Sequence, residues 1–463
     1  MALPHVSFAQ EDEDSAQYQL QISSLRQTVE SLEARGDTWH PLIAESMTSL
    51  ARLLQNDGNH QEALSMLERA VHISRVNDGL FSLQQAPVID MQVQSHMALG
   101  QWQEADALRQ YHFYIHSRAM QPDNPDLILA LISYAEWHLQ SYIDRRVDVM
   151  PITRVIDAYQ LYSVALSIAD SQPEPAAWPR EQFLKRMAYL AWRLSLAGPQ
   201  MRPEVMYARS RQVDDEWVNR MTNGQNKLRP STFSLGEEAL QAIIAARTAH
   251  LSEALPDSSV RRDLLKQHVE AVLYLADWNL LFMRRQGSAQ LYQQAWNMLA
   301  GEDEALRREV FGRVVTIPAF DEYLQPEPLQ LESNTATELA NSLSAARVRA
   351  DSAAPPEWPW VDMRFDLTRF GRVTNVELVN SSTEISDNIK RRLITGLRES
   401  PMRPLVNESG LVSSNGWLYR FPYDPSRMSS NFDNSNDASD DAQPDDDIVD
   451  DATAIESVAF EAQ

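Results

Sequence analysis

The sequence predicts a mainly α-helical protein, in which a solenoid of stacked helical hairpins is followed by a small α+β region and an acidic tail. Three observations predict this order. Apolar residues recur at helical spacing from about residue 20 to about residue 315. Apolar–polar alternation typical of strands appears only after residue 358. Residues 424–463 are rich in Asp, Ser and Asn, and we expect them to be disordered because they have little apolar surface to offset the entropy of ordering.

The composition excludes several classes of function. A formal net charge of -24 repels phosphate, so we expect no nucleic-acid partner. The chain has no cysteine, which excludes disulfides, thiolate metal sites and thiol catalysis. No apolar run approaches the roughly 20 residues of a membrane-spanning helix, so the sequence predicts no membrane span.

The N-terminal segment, residues 1–19, resembles the end of a signal peptide. Small residues stand at Ser7 and Ala9, and an acidic stretch follows Gln10, as at a signal-peptidase site. The basic and long apolar parts of a signal peptide are missing, so a frayed polar terminus is the alternative. The first interpretation predicts export and a mature protein that lacks residues 1–9.

Two related segments indicate that the helical region, residues 20–322, is repetitive. "GNHQEAL" begins at Gly58 and "GQWQEAD" begins at Gly100, 42 residues apart. Apolar and small residues flank the first segment at helical spacing, and Ala63 and Ala70 fall where paired helices meet. This arrangement resembles the tetratricopeptide repeat, in which small residues let two antiparallel helices approach closely.

Weaker copies of the pattern continue towards residue 315. A capping box from Ser234 to Glu237 predicts the start of one of the later helices. The tetratricopeptide resemblance implies a curved solenoid whose concave surface holds a peptide or another protein. Residues 323–357 have Pro near both ends and are predicted to form a linker that contains one short helix.

A different pattern occupies residues 358–423. Alternating apolar residues predict a strand from Val361 to Leu367, and a second strand follows a turn at Gly371. Helical spacing then returns between Ile385 and Leu397. A final alternation predicts a last strand at Trp417, Tyr419 and Phe421. The predicted order is therefore strand, strand, helix, strand.

The segment "FGRVTNVELVNSS", the helix after it and the pair Arg403–Pro404 resemble the C-terminal domain of TonB-type energy transducers. The resemblance implies a periplasmic protein whose last strand accepts an extended segment of a partner, such as an outer-membrane or envelope protein, by β-augmentation. It places the receiving edge around Trp417, Tyr419 and Phe421, whereas the alternative is that these aromatic side chains pack against the helix. The membrane anchor and the Pro-rich spacer of a transducer are missing, so we expect docking rather than energy transduction.

No catalytic constellation is recognisable in the sequence. His112 and His116 are spaced to share one face of a helix, as zinc ligands do, but no third ligand is evident, so a packed pair is preferred. We therefore predict a non-enzymatic envelope interaction protein with protein partners and with no cofactor, metal or small-molecule substrate. The alternatives are an enzyme whose site lies on the concave face of the solenoid, and a cytoplasmic tetratricopeptide scaffold.

Overall fold

The structure is a computed structural model, and it describes most of the chain. The described residues are 7–144, 152–173, 179–196, 231–253, 259–301, 304–312, 315, 317, 359–399 and 401–422. The predicted linker and the acidic tail lie outside them. Helix α1, Ser7–Ala34, includes both sides of the predicted cleavage point, and the cleavage itself stays a prediction.

Helices make up the first part of the described chain, and they pack in sequence order. They are α1, α2 (Pro41–Asn56), α3 (His60–Asp78), α4 (Ala86–Ala98), α5 (Trp102–Ala119), α6 (Leu127–Asp144), α7 (Ile152–Ser171), α8 (Arg180–Ser195), α9 (Thr232–Glu253), α10 (Ser259–Leu281), α11 (Arg285–Met298) and α12 (Glu304–Phe311). From α1 to α11, each helix packs mainly against the described helices before and after it. This neighbour-to-neighbour packing defines a solenoid. The predicted fold class is thus confirmed.

The two glycines that begin the related segments end the first helix of each hairpin. Gly58 and Gly100 have φ angles of 78° and 71°, a left-handed conformation that a residue without Cβ adopts at no steric cost. The residues after them, Asn59 and Gln101, donate backbone hydrogen bonds of 2.8 Å back into the preceding helices. The sequence repeat is therefore a repeat of helix C-caps.

Small residues let the first hairpin close. Ala51 on α2 and Ala63 and Ala70 on α3 are fully buried. They belong to an apolar core that fills α1 to α5. A second core fills α6 to α10 and begins at Phe113 on α5. The junction between α5 and α6 is therefore a boundary between two apolar cores.

The predicted start of α9 is corrected by the structure. The helix begins at Thr232, and the hydroxyl of Ser231 accepts a 3.1 Å hydrogen bond from the backbone N–H of Ser234. Ser231 is the cap because it supplies the same hydroxyl chemistry one turn earlier. Gly236 lies inside the helix, where a Cβ atom would stand 2.1 Å from the ring of Trp278 on α10. That glycine allows α9 and α10 to pack closely.

A three-stranded antiparallel sheet and one helix form the C-terminal module. Its elements are β1 (Trp360–Leu367), β2 (Val373–Ser381), α13 (Asp387–Glu399), β3 (Leu405–Asn407), β4 (Gly410–Val412) and β5 (Ser414–Pro422). The strand order is β2-β1-β5. The alternating apolar residues of β1 are buried in a core shared with α13. The predicted strands and helix are all present.

The hairpin formed by β3 and β4 is not among the predicted elements. Its turn contains Asn407, whose side chain accepts a 2.8 Å hydrogen bond from the N–H of Ser409, and Gly410, whose φ is 103°. The hairpin packs against α11, and Val406 joins the apolar core of α10–α12. None of the helices within the described ranges is long and apolar enough to cross a membrane.

Candidate interaction edge of the C-terminal sheet

Strand β5 lies at one edge of the three-stranded sheet and pairs with β1 alone. The three residues predicted for partner binding lie opposite residues of β1, with the pairs Phe365–Trp417, Met363–Tyr419 and Val361–Phe421. Among the residues that the structure describes, no strand pairs with the other side of β5. The predicted edge position of this strand is therefore present, while partner binding by the three residues stays a prediction.

The register decides which backbone groups of β5 face outward. The carbonyl oxygen of Trp360 accepts a 3.0 Å hydrogen bond from Ser382, so Trp360 faces the β2 side. Successive residues of a strand face opposite sides, so the odd-numbered residues of β1 face β5. Their partners in β5, which include Tyr419, use their N–H and C=O groups to form hydrogen bonds with β1. The outward groups of β5 are consequently those of Leu418 and Arg420.

The side chain of Trp417 packs inside the module and is not directed to the open edge of the sheet. Its side chain packs against the core between the sheet and α13, and its indole N–H donates a 2.7 Å hydrogen bond to the hydroxyl of Ser414. Leu418, in contrast, exposes 54% of its surface. Sequence reasoning singled out the aromatic residues because they alternate, but the residues between them carry the outward backbone groups.

The opposite edge of the sheet, β2, is irregular. Its register against β1 shifts twice, and Asn375 adopts a positive φ of 50°. Bulges of this kind bend a strand and hinder the addition of another one. Strand β5 has one shift, between the partners of Phe365 and Leu367, and is regular from Trp417 onward. The two edges therefore differ in their capacity to accept a partner.

One carboxylate holds the irregular parts of both edges. Asp366 accepts a 2.8 Å hydrogen bond from the side chain of Asn375 on β2 and a 2.7 Å hydrogen bond from the backbone N–H of Gly416 on β5. These hydrogen bonds, first that from Asn375, lower the pKa of Asp366. The regular part of β5 begins directly after this anchored bulge.

The solenoid buries its own polar groups in pairs near the junction of α5 and α6. Both guanidinium nitrogens of Arg154 donate 2.7 Å hydrogen bonds to Asp106, which also accepts a 2.7 Å bond from the indole of Trp137. His138 lies beside Arg154, and burial, helped by this cation, lowers its pKa to about 3. These contacts join α5, α6 and α7 at the junction of the two apolar cores.

The predicted histidine pair is also internal. The rings of His112 and His116 lie 4.5 Å apart, and the Nδ1 atom of His116 is 2.8 Å from the carbonyl oxygen of His112. Burial lowers the pKa of His112 to about 4, although Asp90 at 3.7 Å opposes the shift. Within the described ranges no three His, Cys, Asp or Glu side chains cluster as a metal site.

Exposed apolar side chains of the solenoid gather at one set of turns. Six of those that expose more than a third of their surface lie at or beside the turns that join α1 to α4, and they are Trp39, Leu42, Val76, Leu80, Phe81 and Leu83. Asn77 donates a 2.7 Å hydrogen bond to the carbonyl of Trp39, and Tyr111 donates a 3.1 Å bond to that of Leu80, so these turns adjoin one another. This patch is a second apolar surface that a protein partner can contact.

Comparisons with known proteins identify no family for this chain. No protein-family model and no curated protein match the chain. Two crystal structures of nearly identical TPR-like repeats from a kinesin light chain-like protein of Podosopora anserina are similar at 18% identity. The match covers 57% of this chain and 97% or 99% of theirs, with a TM-score of 0.29 in both cases. A likeness at that TM-score carries no argument about this chain.

Proposed function

We propose that the chain is a non-enzymatic protein-interaction scaffold whose C-terminal sheet docks an extended segment of a partner protein along β5. The proposal rests above all on one observation: the outward backbone groups of Leu418 and Arg420 lie on a regular edge strand that, within the described residues, is paired on one side only. An extended peptide satisfies such groups by forming the next strand, which is β-augmentation. The bulged edge of β2 supports the choice of β5 over the other side.

The backbone supplies most of the affinity in this mode of binding, and side chains supply the specificity. The exposed side chain of Leu418 lies on the face of β5 turned away from α13, where an apolar partner residue at the adjacent position gains contact. The solenoid, as a stack of hairpins, is proposed to hold a second protein partner. An enzyme with a site on the solenoid surface is the alternative function.

Two proline substitutions test the docking edge. Leu418→Pro removes an outward N–H group, so we expect a folded module that no longer captures its partner. Tyr419→Pro removes an N–H group that pairs with β1, so we expect the sheet to unfold. Circular dichroism of each purified full-length variant, followed by a pull-down from extracts of the native host, measures both outcomes.

Leu418→Ala is the matched control, because it shortens the same side chain and keeps the outward N–H group. It should fold and should retain most of its capture of the partner, because the backbone supplies most of the affinity. If both proline variants fold and both still capture the partner, docking along the edge of β5 is wrong.

A periplasmic location is part of the proposal and is supported only by the signal-like N-terminus and the TonB-like pattern. Cell fractionation, combined with N-terminal sequencing of the protein from its native host, tests it. A mature protein that begins at Gln10 in the periplasmic fraction supports export. Recovery of intact Met1 in the cytoplasmic fraction favours the alternative of a cytoplasmic scaffold.

A further inference from the structure

Several acidic residues of the solenoid pair with arginines that come later in the sequence. Four of these pairs are Asp90–Arg109 at 2.7 Å, Asp106–Arg154 at 2.7 Å, Glu136–Arg186 at 3.2 Å and Glu181–Arg247 at 2.6 Å. In each pair the acid lies on one helix and the arginine on a later one. Every such pair therefore ties a part of the solenoid to the part that follows it.

The last acid in this series is satisfied by the C-terminal module. Asp277 on α10 is fully buried, and the Nε and Nη2 atoms of Arg403 donate hydrogen bonds of 3.0 Å and 2.5 Å to its two oxygens. Tyr292 on α11 donates a 2.6 Å bond to the same carboxylate. Burial alone would lower the pKa of Arg403, but Asp277 raises it, so the arginine stays charged.

Backbone contacts surround this ion pair. The N–H of Arg403 donates a 2.7 Å bond to the carbonyl of Val315, and the N–H of Ile317 donates a 3.0 Å bond to the carbonyl of Pro401. The N–H of Met402, between them, donates a 2.9 Å bond to the carbonyl of Gly371, in the turn that joins β1 to β2. Residues 401–403 therefore connect the sheet directly to the end of the solenoid.

The turn at Gly371 is built for this approach. Its φ is 72°, and a Cβ atom there would stand 1.7 Å from the carbonyl oxygen of Met402. Only glycine allows the backbone of residue 402 to come so close. On the other side of the segment, Val406 of β3 is buried in the core formed by α10, α11 and α12. The contact is thus continuous from the sheet to the solenoid core.

We propose that residues 401–412 are the C-terminal cap of the solenoid and that Arg403 is the residue that anchors it. Terminal units of a solenoid need a cap because their outer face otherwise exposes apolar surface. Without Arg403, Asp277 becomes a buried charge with no cation to balance it, which is strongly unfavourable. The module is then a fixed part of the scaffold, whether or not β5 binds a partner.

A cleavable version of the full chain tests the anchor. A site for a specific protease replaces residues 333–339, between the two halves, and the cleaved protein is separated by size-exclusion chromatography. We expect the two halves of the wild-type protein to elute together. With Arg403→Met, which keeps the aliphatic stem and loses the charge, we expect at least tenfold less of the C-terminal half to elute with the solenoid.

Two further variants complete the experiment. Arg364→Met removes an arginine from an exposed pair with Glu377 in the same module, and its halves should elute together as in the wild type. The double variant Asp277→Asn with Arg403→Met removes both charges, so its melting temperature should exceed that of Arg403→Met alone.

Three results overturn the proposal. The first is separation of the wild-type halves after cleavage. The second is co-elution of the Arg403→Met halves to the same extent as the wild type. The third is a melting temperature of the double variant that is no higher than that of Arg403→Met. This comparison can still be made if Arg403→Met is poorly folded.

Discussion

The solenoid and the C-terminal sheet differ in whether their polar groups have partners within the described chain. In the solenoid, half-buried acids pair with arginines of later helices, and the fully buried Asp277 pairs with Arg403 of the C-terminal module. In the sheet, bulges make the edge strand β2 irregular. The outward backbone groups of the other edge strand, β5, have no neighbouring strand in the described part of the chain. This difference supports the proposal that a partner docks along β5 rather than along β2.

Acid should lower the stability of the solenoid, because two of its buried histidines stay uncharged in the folded chain. His112 and His138 have pKa values of about 4 and about 3 in the folded chain, below the usual value of 6.5, because burial disfavours their charged forms. The unfolded chain binds protons below pH 6.5 and the folded chain does not, so stability is complete above that pH and falls as pH decreases towards 4. Linkage gives a loss of about 2 kcal/mol per histidine at pH 5 relative to pH 8.

Urea unfolding followed by helical circular dichroism, at pH 8 and at pH 5, measures this loss. His138→Gln keeps an acceptor for Arg154 and removes one titrating group, so its loss between the two pH values should be about 2 kcal/mol smaller than that of the wild type. An unchanged pH dependence in His138→Gln would show that His138 does not contribute to the loss of stability in acid.

A larger side chain in the apolar interface of the first hairpin should lower the stability of the protein without changing its pH dependence. Ala63 is fully buried between α2 and α3, so Ala63→Leu overpacks the contact and should cost about 1–3 kcal/mol. Gln61→Ala, on the exposed side of the same helix, should stay within roughly 0.5 kcal/mol of the wild type. Thermal unfolding of both variants checks the assignment, and equal melting temperatures would contradict the register of the hairpin.

Local patterns predicted most of the elements. Helical spacing and the glycines at residues 58 and 100 gave the first two hairpins, because a helix and its C-cap are specified within a few residues. Alternation gave β1, β2 and β5 for the same reason. The β3–β4 hairpin was missed although Val406 and Leu411 flank a turn signal at Asn407 and Gly410, since strands of three residues are too short for alternation to mark.

Contacts between distant residues were beyond the sequence. Asp277 and Arg403 are 126 positions apart, and neither lies in a pattern that identifies its partner. The outward direction of Leu418 depends on the register between β5 and β1, which alternation alone does not give. The predicted domain boundaries stay predictions, and the buried contacts at Arg403 give the module and the solenoid a common core.

Amide hydrogen exchange of the full-length protein, read residue by residue by NMR, tests whether the edge of β5 is open. We expect alternation along the strand: the amides of Leu418 and Arg420 exchange rapidly, whereas those of Tyr419 and Phe421 are protected by β1. Protection of Leu418 and Arg420 as strong as that of Tyr419 would mean that the edge is already covered, and docking along β5 would then be wrong.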